Sequence, residues 1–316
     1  MQIKALEVFC DVVLLSSFSR AATENGISQS AVSQLVNQLE SRLGVQLLDR
    51  SKRPFIVTAE GKIYFDGCRR ILKQLRGLDD EVRTRHEEVS GDVHVASIYS
   101  VGLSHINGVV QRFLMRHPKA NVRVEYQHPD RVYRLVKEDR VDVGLVSYPR
   151  DSRKVKVTPW RDEPMLIVMA PDHRLASKNQ ICVADLHEQD VIGFDRNLRI
   201  RQEIDRVLSL RDTHVQVVME FDNIETIKRA VEINAGISLL PAPTVVREVA
   251  AGTLIARPLT DLKLIRPLGL IRPKGAVPGA TARRFIQFLS EQNQISFPPG
   301  LDLNSPVTSD VSHAAS

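Results

Sequence analysis

Residues 18 to 37, FSRAATENGISQSAVSQLVN, constrain the fold more than any other stretch of this chain. They read as a helix, a tight turn and a second helix. Ala21 and Ala22 are small enough to let the two helices pack closely, and Gly26 falls where the turn needs a residue that tolerates positive φ. Ser28 suits the N-cap of the second helix. Ile27, Val32 and Leu35 turn back toward a small core. The other face shows Ser28, Gln29, Ser30, Ser33, Gln34 and Asn37. These are uncharged hydrogen-bonding groups of the kind that read base edges in a DNA major groove. A helical hairpin with no DNA role has the same spacing, so the flanking residues must decide.

Those flanks support the DNA reading. Arg50, Lys52 and Arg53 cluster just before Pro54, in a turn between the apolar segments Val45 to Leu48 and Phe55 to Val57. This is the layout of a β-wing whose tip reaches phosphates or the minor groove; a solvated charged turn is the plainer alternative. The formal net charge of +5 adds nothing to this argument. Residues 1 to 58 hold Lys4, Arg20, Arg42, Arg50, Lys52 and Arg53 against Glu7, Asp11, Glu24, Glu40 and Asp49. The segment is therefore close to neutral, and placement rather than total charge matters.

A long helix follows. No proline interrupts Ala59 to His117; Thr58 can cap the helix and Glu60 suits its positive end. Tyr64, Cys68, Ile71, Leu75, Leu78 and Val82 alternate in steps of four and three, an a/d heptad seam. Such a stripe packs either on its own core or on a partner helix. Its place between two domains favours a second subunit, and a two-fold dimer would present two recognition helices to two half-sites.

From Gly91 the pattern becomes an α/β series. Strands are expected at Val93 to Ala96, Val122 to Tyr126, Val141 to Val146, Met165 to Met169, Val191 to Phe194, Val215 to Phe221, Ile237 to Leu240 and Leu268 to Ile271. Helices are expected at Gly102 to Arg116, Val132 to Glu138, Ile200 to Leu208, Ile224 to Asn234 and Thr281 to Gln292. The alternation predicts a largely parallel sheet covered by helices, in two lobes with a ligand cleft between them. The expected boundaries are a winged helix-turn-helix over 1–58, a linker and dimerisation helix over 59–90, an effector-binding domain over 91–295 and a disordered tail over 296–316. Lobe I takes about 91–162 and 266–295, and lobe II about 163–265.

At this point the chain resembles the LysR-type transcriptional regulators. The resemblance runs from Ile3-Lys4-Ala5-Leu6-Glu7-Val8-Phe9 through Ser19-Arg20-Ala21-Ala22, Ser28-Gln29-Ser30-Ala31-Val32-Ser33 and Leu39-Glu40. It continues to Leu43-Gly44-Val45-Gln46-Leu47-Leu48-Asp49-Arg50 and Thr58-Ala59-Glu60-Gly61. Gln34 and Asn37 depart from the usual pattern, which has Arg or Lys there, so contacts made by those side chains do not carry over. Further on, Phe113 to Pro118, Val141-Asp142-Val143-Gly144-Leu145 and Gly236-Ile237 with Leu239-Leu240-Pro241 are similar to the family's periplasmic-binding-protein-like effector domain. Asp142 reads as structural. The resemblance implies homodimers that pair into tetramers on bent promoter DNA, an effector that changes the lobe angle, and RNA polymerase as a further candidate partner.

Effector residues follow from topology. Strand-to-helix junctions open onto the cleft, where backbone N–H groups favour anions. They bring Ser100, Val101 and Gly102; Tyr148; Arg196, Arg199 and Arg201; and Asn223 with Ile224. Hydroxyl and guanidinium groups suit a carboxylate or another small organic or inorganic anion. Enzyme signatures are missing: no Gly-x-Ser-x-Gly, no Gly-x-x-x-x-Gly-Lys and no Gly-x-Gly-x-x-Gly. The histidines form no His-Glu-x-x-His or zinc pattern, so no metal, cofactor or catalytic residue is expected, and His105, His117 and His128 read as structural or exposed. The scattered Cys10, Cys68 and Cys182 read as buried thiols of a reducing compartment. With no leader or membrane span in the pattern, a cytoplasmic chain is expected. A ligand-responsive transcription factor leads. An enzyme with an appended DNA-binding segment and a ligand-independent architectural DNA binder are the alternatives. Turnover of a metabolite would mark the enzyme, and sequence-blind DNA bending would mark the architectural protein.

Overall fold

A computed structural model describes residues 3–84, 89–275 and 278–292; the expected tail over 296–316 lies outside the described residues. The chain forms two compact units, Met1–Gly91 with Val277–Arg284, and Asp92–Ala276 with Phe285–Ser316.

In the first unit α1 (Ile3–Leu15), α2 (Phe18–Asn25) and α3 (Gln29–Leu43) precede a small antiparallel ribbon of β1 (Leu48–Asp49) and β2 (Ile56–Val57), then the long α4 (Ala59–Thr84). Ser17 caps α2, and Gly26 ends it at φ 64°, the left-handed conformation the turn requires. Ser28 caps α3 by accepting from the Ala31 N–H at 3.2 Å. Leu6, Val8, Phe9, Ala21, Ala22, Val32, Val36 and Leu39 fill the core. Val36 was not among the expected core positions, whereas Ile27 and Leu35 are only partly buried. Burying each of the Leu, Val and Phe side chains contributes about 1.5–3 kcal/mol. Glu40 ties the helices to the ribbon. Its Oε1 accepts from the N–H groups of Leu47 and Leu48 at 2.8 and 3.0 Å, and its Oε2 from Arg50 at 2.9 Å. Thr58 caps α4 by accepting from the Gly61 N–H at 2.9 Å. A Cβ on Gly61 would lie 2.0 Å from the Leu47 carbonyl oxygen, so only glycine permits this approach.

The seam on α4 divides. Cys68 is buried in the unit's own core beside Cys10, and Tyr64 packs against the same core, its ring 5.6 Å from that of Phe9. These two expected dimer residues are thus used inside the chain, because α1 lies alongside the first half of α4. Ile71, Leu78 and Val82 are exposed and Leu75 is half-buried.

In the second unit β3 (Gly91–Ser97) leads into a continuous helical run: α5 (Tyr99–Val101), a π-helical stretch (Gly102–Ile106) and α6 (Asn107–Arg116). Then come β4 (Ala120–Tyr126), α7 (Pro129–Lys137), β5 (Val143–Ser147) and the fifteen-residue β6 (Val155–Met169). The order continues with β7 (Asp190–Phe194), α8 (Arg199–Ser209), β8 (Gln216–Phe221), α9 (Ile224–Glu232), β9 (Ser238–Pro241), α10 (Val246–Ala251), β10 (Ile255–Arg257), β11 (Ile265–Pro273) and α11 (Ala280–Glu291). Asp142 is structural, its carboxylate accepting from the His94 N–H at 2.9 Å.

The strands form a seven-stranded sheet, mixed rather than largely parallel, and a separate two-stranded sheet of β7 and β8. Parallel pairing joins β3 to β5 and β7 to β8, but β11 is antiparallel to both β5 and β6, and β6 is antiparallel to β9 and β10. The cause is that β6 and β11 cross from one lobe to the other as a paired ribbon. Over Val155 to Pro164, β6 pairs with β11; over Met165 to Met169 it pairs with β9 and β10. The expected strand at Met165 was only the last third of β6. Pro159 and Pro164, with Lys156, Arg161, Asp162 and Glu163, break the apolar signal of the rest.

Candidate functional site

On α3, Ser28, Gln29, Ser30, Gln34 and Asn37 are exposed and Ser33 is half-buried. Val32, Val36 and Leu39 hold the opposite face in the core, so the helical period itself aims the polar groups outward. Ser19 Oγ on α2 donates to Gln29 Oε1 at 2.9 Å, which steadies an otherwise mobile side chain. Lys52, Arg53 and Pro54 are exposed at the wing tip. Arg50 is used differently. Its guanidinium pairs with Glu40 and lies 5.3 Å from the centre of the Phe18 ring, so it braces the wing against the helices.

In the second unit a cavity of about 630 Å³ opens between the lobes. Lobe I contributes Ser100, Gln127, His128, Tyr133, Tyr148 and Arg150; lobe II contributes Phe194, Asn197, Arg199 and Ile224; Arg266 on crossing strand β11 also lines it. Of the residues expected at an effector site, Ser100, Tyr148, Arg199 and Ile224 are therefore in the wall. The others are placed elsewhere. Val101 is fully buried, and Gly102 lies under the Tyr126 ring, where a Cβ would approach within 2.2 Å. Arg196 is exposed beside Glu220. Arg201 is held by Asp205 and Glu220 at 2.8 and 2.9 Å and donates to the Phe194 carbonyl. Asn223 is the N-cap of α9, accepting from the Glu225 N–H at 2.9 Å.

Gln127, His128, Tyr133, Arg150 and Arg266 were missed by the sequence reading. The first three follow strand β4, at a junction not counted among those opening onto the cleft. Arg266 sits inside a strand, where no local signal points to a ligand.

The wall carries Arg134, Lys137, Arg150 and Arg199 against Asp130, Asp151 and Asp222; Arg266 is paired with Glu163, and Lys274 pairs with Asp151 at 3.2 Å. The helical run at Tyr99 and helix α8 both begin without a side-chain cap, which leaves N–H groups at each lobe's edge of the cavity. The Tyr148 hydroxyl is buried, with no hydrogen-bond partner among the described residues. Burial pushes its pKa up to about 12.

Behind Ser100 lies a buried ionic cluster. Arg266 is 1% and Glu163 0% exposed, and they are register partners on β11 and β6. Arg266 Nε donates to Glu163 Oε2 at 2.8 Å, its Nη2 donates to the same oxygen, and its Nη1 donates to Ser100 Oγ at 2.9 Å. His105, on the π-helical stretch, meets Glu163 Oε1 at 2.5 Å. Burial works against the Glu163 charge, but Arg266 and the His105 hydrogen bond outweigh it and hold the carboxyl below the usual carboxylate range. His105 was expected to be structural or exposed; it is a buried member of this cluster.

Comparison with known proteins gives the same class. Residues 3–62 match the bacterial regulatory helix-turn-helix protein, lysR family, and residues 86–294 match the LysR substrate binding domain. The chain belongs to the LysR family: it is a DNA-binding transcriptional regulator with an effector-binding domain, and not an enzyme. Among curated relatives it is 27% identical to the uncharacterized HTH-type transcriptional regulator YeiE of Escherichia coli K12, over 92% of this chain and 98% of that one. Among solved structures it resembles full-length OxyR from Pseudomonas aeruginosa, solved as a cysteine-to-aspartate variant, with a TM-score of 0.73 and 22% identity over 92% of this chain and 94% of that one. It also resembles the Synechocystis PCC6803 CcmR regulatory domain in complex with 2-PG, with a TM-score of 0.59 and 21% identity over 64% and 97%. No described helix is long and apolar enough to cross a membrane.

Proposed function

We propose that this regulator responds to a small oxyanion held in the interlobe cavity, and that it binds promoter DNA as a homo-oligomer through α3 and the wing. The observation that carries the anion reading is the cavity wall, where cations outnumber acids and two uncapped helix starts supply N–H groups. A volume of about 630 Å³ suits a metabolite-sized ligand. The relative CcmR, solved with 2-PG, supports the same chemistry by analogy. Ser100 from lobe I and Arg199 from lobe II lie on opposite walls, so a ligand touching both favours one lobe angle over another.

A thermal-shift screen of organic acids and inorganic anions tests this. A binder at a hundred times its Kd stabilises by about 2.7 kcal/mol. Arg199→Ala should keep promoter binding and lose most of the shift. A screen in which only neutral compounds stabilise the protein would refute the reading.

A further inference from the structure

The hydroxyl that faces the cavity is not free to choose its role. A guanidinium can only donate. With Arg266 Nη1 donating to Ser100 Oγ at 2.9 Å, that oxygen is an acceptor toward Arg266 and its own proton is left for another partner. Ser100 lines the cavity, and the atom it can serve there is a hydrogen-bond acceptor.

Arg266 in turn does not present its full charge. Both Glu163 oxygens are occupied, Oε2 by two guanidinium nitrogens and Oε1 by His105. Arg161 Nη1, 3.3 Å from His105 Nδ1, can only donate, so Nδ1 is the accepting nitrogen and Nε2–H the one that donates to Glu163. The cavity floor thus holds a neutral ion pair rather than a bare cation. The pair is buried from water, so a compensating charge a few ångströms from Arg266 changes what an incoming anion feels.

We propose that the buried Glu163–Arg266 pair sets the charge selectivity of the effector cavity: Arg266 orients Ser100 as a committed donor, and Glu163 cancels the charge Arg266 would otherwise offer. This rests on the anion reading above. Glu163 is a positioning residue that touches no ligand. Its neutralisation restrains affinity for small multiply charged anions and leaves selection to the donor geometry of Ser100 and to the outer cations such as Arg199. Because Glu163 and Arg266 join the two crossing strands in register, this adjustment sits at the point where the lobes are connected.

The test uses the full-length protein, with inorganic phosphate as the probe and calorimetry as the readout. Glu163→Gln keeps the shape and removes the negative charge. It should tighten phosphate binding by about tenfold or more and leave it strongly salt-dependent. A residue of merely structural importance would weaken binding instead. Ser100→Ala keeps the ion pair and should weaken phosphate binding by about tenfold, and it serves if Glu163→Gln does not fold. Wild-type binding that Glu163→Gln leaves equal or weaker overturns the proposal alone, as does an unchanged Ser100→Ala. No phosphate binding by wild type or either variant overturns the proposal; the anion reading beneath it falls only if the thermal-shift screen finds no anion that binds.

Discussion

Gln29 and Arg53 occupy different parts of the DNA-binding head and should fail differently. Gln29 is exposed on α3 and steadied by Ser19. A Gln contact to a base edge is worth about 1–3 kcal/mol of discrimination. Gln29→Ala should therefore weaken operator binding by about tenfold or more while leaving random DNA almost unaffected. Arg53, at the wing tip, serves the phosphate backbone in this reading. Arg53→Ala should weaken both kinds of binding and lower the salt slope by about 1. Fluorescence-anisotropy titrations at several salt concentrations separate the two; equal losses on both DNAs for Gln29→Ala would remove α3 as the reader.

At the scale of the element, α4 serves two masters. Its first turns are bound to the head through Tyr64, Cys68 and Leu72. On another face Ile71, Leu75, Leu78 and Val82 keep the heptad spacing with exposed or half-buried side chains. An apolar stripe left in water on a helix this long favours a partner helix. If this stripe is the subunit seam, replacing Leu75 and Leu78 by Asp would bury two charges in it at a cost of several kcal/mol. The expected outcome by sedimentation is a monomer with a folded effector domain and no affinity for two-half-site DNA. An unchanged oligomer would assign the subunit contact to another surface.

At the scale of the whole chain, stability should carry the mark of the buried cluster in acid. Glu163 has its carboxyl held below the usual range, so the folded form gives up its proton more readily than the unfolded chain. That stability is present above the unfolded glutamate value of about 4.3 and is lost as pH falls from there through the lower folded value. Denaturant titrations of wild type and Glu163→Gln across this window should show a steeper acid loss in wild type. Superimposable acid arms would mean that Glu163 does not govern it.

Local chemistry alone determined the head. Gly26, Ser28 and the spacing of Ala21, Ala22 and Val32 specify a helix-turn-helix because caps, turns and helical period act over a few residues. The heptad on α4 was legible for the same reason. What tertiary structure decided was the use to which such residues are put. Cys68 and Tyr64 obey the heptad yet face the head, since only packing shows that α1 lies alongside. Arg201 and Asn223 sit at the expected junctions, but Glu220 and Asp205 capture one and the start of α9 the other. Glu163 and Arg266 are 103 residues apart, and nothing near either announces its partner. Crossing strands bring them together in register, and a buried charge can only be understood with the charge that compensates it.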